Sequence, residues 1–290
     1  MSAVVLAFQQ PVRDGALSNR IPQLFHTIIA LDDDDPQVKA AESELRQLYT
    51  TRGLLTIDDV GDEASYQFVL LLCSSGPMNA RSRVLQAAKA AGAKRTIPGD
   101  AVAFCTARIR LDELKAKASR LPPSAPALAE NIGNLFAKDQ AARQPQGFDR
   151  DRMIAADKAL EAPLAEILNR YGVPTYAMVG IDAASQFVTM IQHQPPEFRR
   201  RVLPTLKANV DAGQADAGSY AMVYDRSQRD EGRNQLYGSH LECSDARPDL
   251  REAPIDDEAR VNERRARLGL MRMELYARLV VEMSPQMCRK

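Results

Sequence analysis

The chain carries no excess of charge: 38 Lys and Arg stand against 38 Asp and Glu in 290 residues, with a sequence pI near 6.8. That balance denies it the electrostatic footprint of a nucleic-acid or anionic-membrane binder, and neither is an expected partner. The densest basic clusters, Arg199-Arg200-Arg201 and Arg260 to Arg267, are flanked or interrupted by acidic residues and read as solvated helix faces. Cysteine is scarce. The four, at 73, 105, 243 and 288, form no C-x-x-C pair and no zinc-type spacing. A reducing compartment fits them best, with Cys73 and Cys105, inside apolar helical runs, expected as buried small hydrophobes. No apolar run approaches the roughly 18 residues needed to span a bilayer, Phe68 to Cys73 being the longest candidate. Met1 to Phe8 lacks a preceding basic residue and makes a poor secretory signal. The expected location is therefore the cytoplasm, with an exported chain bearing a clipped signal peptide as the alternative. A Gly-rich phosphate loop, a G-x-S-x-G elbow and H-E-x-x-H are all missing, so nucleotide hydrolase, α/β-hydrolase and zincin readings lack support.

What is present is a repeat. Gly53 to Leu72 returns 119 residues later as Gly172 to Ile191 with eight of twenty positions identical, among them Gly53/Gly172, Thr56/Thr175, Gly61/Gly180, Gln67/Gln186 and Phe68/Phe187. That excess argues for internal duplication. The phase extends upstream, where Leu45 matches Leu164 and Leu48 matches Ile167.

Helical punctuation surrounds both copies. Asp32 to Asp35 followed by Pro36 predicts a helix start with Asp35 as N-cap, Val38, Ala41, Leu45 and Leu48 recur at helical spacing, and Gly53 ends the run. After each Gly-x-x-Thr turn come an apolar helix, a Pro-containing break (Gly76-Pro77; Pro195-Pro196), an amphipathic helix and a further helix, Asp100 to Lys117 or Gly218 to Gln228. Each unit reads as about four helices without period-2 strands, so the predicted fold is all-α. The expected organisation is a degenerate N-terminal helical repeat over 1–120, a Pro-rich linker over 121–127, and a C-terminal helical domain over 128–290 that bears the site. Gln144 to Asp149 reads as irregular, Gly238 to Pro254 as loop, and Asp256 to Glu282 as one final charged helix.

The copies diverge at polar positions. Gln192-His193 faces Cys73-Ser74, Asp225 faces Ala107, and Asp139-Gln140-x-x-Arg143 and Gln235 to His240 have no partner in the first copy. Arg226 does have one, Arg108. A helix must bury an apolar face whatever the protein does. Polar groups kept by one copy alone point instead to a site retained there, against which stands drift on an exposed surface.

These same segments carry a family likeness. Asp139-Gln140-Ala141-Ala142-Arg143, Tyr171 to Thr175, Val179-Gly180, Gln192-His193, Tyr224-Asp225-Arg226, Gln235 to Gly238 and Arg260 to Leu270 occur in an order and spacing that resemble the bacterial domain-of-unknown-function family 6624 over about 128 to 280. The resemblance implies site residues and no reaction. It also marks two departures: Val173 stands where the family usually has tryptophan, and Ser239-His240 where it has a Thr-Gln pair.

The resulting candidates are His193, Asp225 and Tyr237 as catalytic groups, with Asp139, Gln140, Arg143, Gln192, Arg226 and Gln235 binding ligand. His193 with a carboxylate neighbour such as Asp225 would be a general base, Arg143 or Arg226 would hold an anionic or carbonyl group, and Tyr237 would donate a proton or hydrogen bond. At a helix C-terminus an imidazolium also interacts well with the dipole, without any catalysis. His193, Asp225, His240 and Glu242 are permissible metal ligands, but no pair has a spacing that enforces a site. The expected ligand is small or peptide-like, and the reaction, if any, hydrolytic. The rival is an interaction or scaffold module whose Asp139, Arg143, Asp225 and Arg226 form a structural ion-pair network, with the first unit as a protein-facing surface. The sequence leaves the cofactor unknown.

Overall fold

A computed structural model describes residues 12–144, 149–244, 247–249 and 254–283. Met1 to Phe8, Cys288, most of the irregular Gln144 to Asp149 segment and the side chains of Glu242 and Cys243 lie outside the described residues. The chain divides into two compact units, 1–109 and 110–290. The division falls inside a helix rather than at the Pro-rich segment. That segment belongs to the second unit, because Ser124 and Ala125 donate their backbone N–H groups to the carbonyls of Ala177 (3.1 Å) and Met178 (2.8 Å).

The first unit comprises α1 (Gly15–Ala30), α2 (Pro36–Arg52), the one-turn α3 (Ile57–Val60), α4 (Asp62–Ser74), α5 (Met78–Ala93) and α6 (Gly99–Ala118), whose last turns pass into the second unit. Asp35 caps α2 as the sequence predicts, accepting from Gln37 N at 2.7 Å. Helix α1 is an addition to the predicted set, capped by Asp14 and carrying Pro22 internally. Its buried Ile21, Leu24 and Phe25 pack on α2 and α4. The core continues through Leu45, Tyr66, Phe68, Leu71 and Phe104, with Tyr66 edge-on to Phe104 at 6.4 Å. Cys73 and Cys105 are buried, but they are joined to each other as a disulfide linking α4 to α6. The expectation of two unreacted thiols is thereby corrected; residue spacing alone gave no sign that the two helices would meet at these positions.

The second unit contains α7 (Pro126–Ala141), α8 (Arg150–Tyr171), α9 (Tyr176–Gln192), α10 (Pro196–Asp211) and α11 (Ala217–Asp230), then a hairpin of two three-residue strands, β1 (Glu242–Ser244) and β2 (Arg247–Asp249), and α12 (Val261–Arg267) and α13 (Met273–Met283). The fold is all-α apart from this hairpin. The single charged helix expected over 256–282 is broken, because Gly269 turns the chain at φ 66° between α12 and α13. Ile132, Leu164, Phe187, Met190, Ile191, Leu206 and Val223 form the centre of the core, where α7 packs on α9 and α10 on α11. Removing a ring such as that of Phe187 would cost about 3–5 kcal/mol. The basic clusters are not simply solvated faces: Arg199 and Arg265 are buried, the latter donating to the carbonyls of Met271 and Tyr237.

One segment of each unit shares a local conformation with the other. Gly53 ends α2 at φ 72°, ψ −154°, and Gly172 ends α8 at φ 72°, ψ −155°. Eight residues on, Gly61 lies at φ 86°, ψ 166° and Gly180, inside α9, at φ 82°, ψ 169°. Only glycine occupies this region without severe strain. Thr56 and Thr175 cap the turn between them by accepting from Asp59 N and Met178 N. Ile57 N then donates to Thr96 O in the first unit, and Tyr176 N to Gln214 O in the second. Each acceptor follows a left-handed residue, Arg95 at φ 56° or Gly213 at φ 66°.

Candidate functional site

The polar cluster of the second unit begins on α7. Leu128, Ile132, Leu135 and Asp139 lie at helical spacing on its buried stripe, so the last turn drives a carboxylate into the interior, where Asp139 has no solvent exposure. A buried carboxylate must be satisfied. Gln140 Nε2 donates to Asp139 Oδ2 at 2.8 Å, Arg143 lies 3.0 Å from Oδ1, and His193 Nδ1 approaches the same oxygen at 2.9 Å. Burial raises the Asp139 pKa, but the hydrogen bonds from His193 and Gln140 and the charges of His193 and Arg143 outweigh it, holding the carboxyl below the usual range. An ionised Asp139 can only accept, so His193 Nδ1 is the donor. When the ring is neutral, Nε2 then carries the lone pair. His193 is the C-cap residue of α9, partly exposed, and Nε2 bonds to no described residue.

Around this pair lie groups that the sequence did not single out. Arg143 also bonds Asp157 of α8, whose backbone carbonyl accepts from Gln194 Nε2 at 3.3 Å. Arg199 of α10 donates to the carbonyls of Gln192 and Gln194 and pairs with Asp230 of α11. Gln192 thus contributes its backbone to the cluster. The buried Gln194 Oε1 and Arg199 Nε, like Gln67 Oε1 in the first unit, have no hydrogen-bond partner among the described residues. Arg226, exposed on α11, forms no ion pair or hydrogen bond with described residues. Local desolvation and the neighbouring positive charge of Arg199 lower its pKa, with Asp230 and Asp157 acting in the opposite sense. Asp157 and Asp230 resemble ordinary helix-surface acids in sequence, whereas Arg199 had a signal in Arg81, which donates to Cys73 O at 2.6 Å after the first Pro-containing break.

Asp225, Tyr237, Gln235 and His240 form a second group. The fully buried Asp225 accepts from Leu236 N (2.8 Å), Tyr237 N (3.1 Å), Ser239 N (2.9 Å) and Ser239 Oγ (2.8 Å). Its carboxylate shapes the loop after α11, and the aspartate beside His193 is Asp139. Gln235 clamps the same loop through both the N–H and the carbonyl of His240. Tyr237 packs with Tyr220 and Tyr224, and burial raises its pKa well above the ordinary tyrosine value, a poor setting for proton donation. His240 Nε2 donates to Met222 O at 2.9 Å. The departures at 239 and 240 are thus accommodated within the loop, and Val173 is a buried core residue.

Asp139, Asp157 and His193 offer ligand atoms within 4.8 Å of one another, a permissible cation site. Arg143 already bonds both carboxylates, so a metal would have to displace a guanidinium. Of the other metal candidates, Asp225 and His240 are committed to the loop, and the side chain of Glu242 lies outside the described residues.

Residues 138–285, just over half of the chain, match the model of a family of unknown function, DUF6624. No curated protein and no solved structure matches the chain.

Proposed function

We propose, from the premise that the chain belongs to the family of unknown function DUF6624, that its second unit is an acid–base site hydrolysing a small or peptide-like anionic ligand. The observation that carries this reading is the 2.9 Å bond between His193 Nδ1 and the buried, ionised Asp139. Asp139 fixes the tautomer, Nε2 takes a proton from the attacking water, and Arg226 receives the anionic or carbonyl group of the ligand. Gln194 Oε1 and Arg199 Nε, buried polar atoms without a partner among the described residues, add support, since such atoms are costly unless something satisfies them. Turnover of p-nitrophenyl esters bearing a terminal carboxylate tests it. His193→Ala should abolish turnover while changing unfolding free energy by less than about 1 kcal/mol, as cleft substitutions do. Turnover that persists in the variant, or a variant that unfolds, rejects the reading.

One observation favours a second reading. Arg143 bridges Asp139 and Asp157 from α7 to α8, as a structural ion-pair network would. On that reading His193 only completes the network, and its removal destabilises the unit.

The two units are further proposed to descend from one by duplication. Matched glycines at 53/172 and 61/180, and the equivalent bonds from Ile57 N and Tyr176 N, support it. In experimental coordinates, residues 53–96 and 172–214 should superpose; unrelated backbone paths would end the proposal.

A further inference from the structure

The first unit holds a cavity of about 560 Å³ between the end of α2, the end of α4 and the start of α5. Its size lies within the range of small-molecule sites, roughly 300–1,000 Å³. Its floor is apolar, formed by Leu54 and by the buried Leu72 and Val84, and its lining includes Arg46, Tyr49 and Arg83. Arg46 is paired with Glu42 at 3.2 Å. Arg83 is exposed and has neither an ion pair nor a hydrogen bond among the described residues, and the Tyr49 hydroxyl likewise bonds to none of them. An apolar chamber with one uncommitted cation and one uncommitted hydroxyl matches an amphiphile with a single anionic head.

At the positions of the second unit that match by sequence, the side chains differ. Ala80 stands three residues after Pro77, and three residues after Pro195 stands Phe198, whose ring is buried in the core. Arg201, two residues after Arg199 as Arg83 is two after Arg81, bonds Asn169 Oδ1 at 2.6 Å. At these sequence-matched positions the second unit therefore has an aromatic ring and a bonded arginine, and the first a methyl group and a guanidinium unpaired among the described residues.

We propose that this cavity binds a medium-chain fatty acid, with the acyl chain on Leu54, Leu72 and Val84 and the carboxylate on Arg83 and the Tyr49 hydroxyl. The site is independent of the His193 cluster and does not rest on the hydrolytic reading. Calorimetric titration of the full chain with decanoate should give saturable one-to-one binding. Arg83→Gln should weaken it about tenfold or more, since hydrogen bonds to charged groups are the stronger class. Ala80→Phe, which reproduces the residue of the second unit, should abolish binding with the far-UV spectrum preserved. If Ala80→Phe fails to fold, the comparison of Arg83→Gln with the wild type decides. The proposal is overturned by absence of saturable binding, by equal affinity in wild type and Arg83→Gln, or by decanol binding as tightly as decanoate.

Discussion

The two units meet the same structural requirement by different chemistry. In the first, the helix after the Gly-turn-Gly element is tied to the last helix of the unit by the Cys73–Cys105 disulfide. In the second, α9 and α11 pack through Phe187, Ile191, Tyr220 and Val223 with no disulfide among the described residues. Polar groups then gather at the end of α9, on Asp139, Arg143 and His193. Turn glycines, threonine caps and apolar helix faces occur in both units, whereas the cluster of Asp139, Arg143 and His193 lies in the second.

The largest effect that would break this comparison is expected at Asp225, which has Ala107 opposite it in the first unit. Its carboxylate accepts four hydrogen bonds in full burial. Asparagine would turn an amide N–H toward Ser239 N and leave buried donors unsatisfied, at about 1–3 kcal/mol each. Asp225→Asn should therefore lower the unfolding free energy by about 3 kcal/mol or more in urea denaturation. A loss below about 1 kcal/mol would mean that the loop after α11 does not depend on this anchor.

The disulfide should come next. It closes a loop with a sequence separation of 32, for which the chain-entropy model gives about 3–4 kcal/mol. Urea melts with and without reductant should differ by that amount in the first unit's transition, and the paired change of Cys73 and Cys105 to serine should reproduce the reduced curve. Unchanged melts would show that packing holds the first unit as it does the second. Disulfides persist in oxidising environments, so the argument that cysteine usage favours a reducing compartment falls away.

Much of the fold was legible in sequence because it is written in short-range signals. Asp35-Pro36, Gly53, Thr56, Gly172 and Thr175 each fix a few dihedrals and act within one turn of helix. What could not be read were pairings between distant helices: Cys73 with Cys105, Arg143 with Asp157, Arg199 with Asp230. The mistaken partner for His193 has the same origin. Asp225 is close to His193 in sequence order, with one helix between them, and Asp139 is 54 residues away, but α7 packs on α9 and delivers Asp139. Helix α1 escaped because its stripe of Ile21, Leu24 and Phe25 is interrupted by Pro22, a residue that ordinarily argues against a helix interior.

The smallest effect sharpens the comparison through pH. His240 lies in the second unit, where burial depresses its pKa, and the nearby charges of Arg226 and Arg229 act in the same direction. The folded protein therefore resists a proton that the unfolded chain, with a histidine pKa near 6.5, takes up. Stability from this residue is complete above about pH 6.5 and declines as pH falls toward the depressed folded value, with a slope of at most about 1.4 kcal/mol per pH unit, one proton's worth. Asp139, also depressed, acts in a lower window: its contribution is complete above the ordinary aspartate value near 3.9 and is lost only below it. His240→Gln retains an N–H for the Met222 carbonyl while removing the titration. Urea midpoints measured between pH 7 and 5 should slope less in this variant than in the wild type, and the difference should appear in the transition of the second unit. The first unit's only histidine, His26, is exposed. Equal slopes in variant and wild type would show that His240 takes up its proton in place, and acid sensitivity would then cease to distinguish the two units.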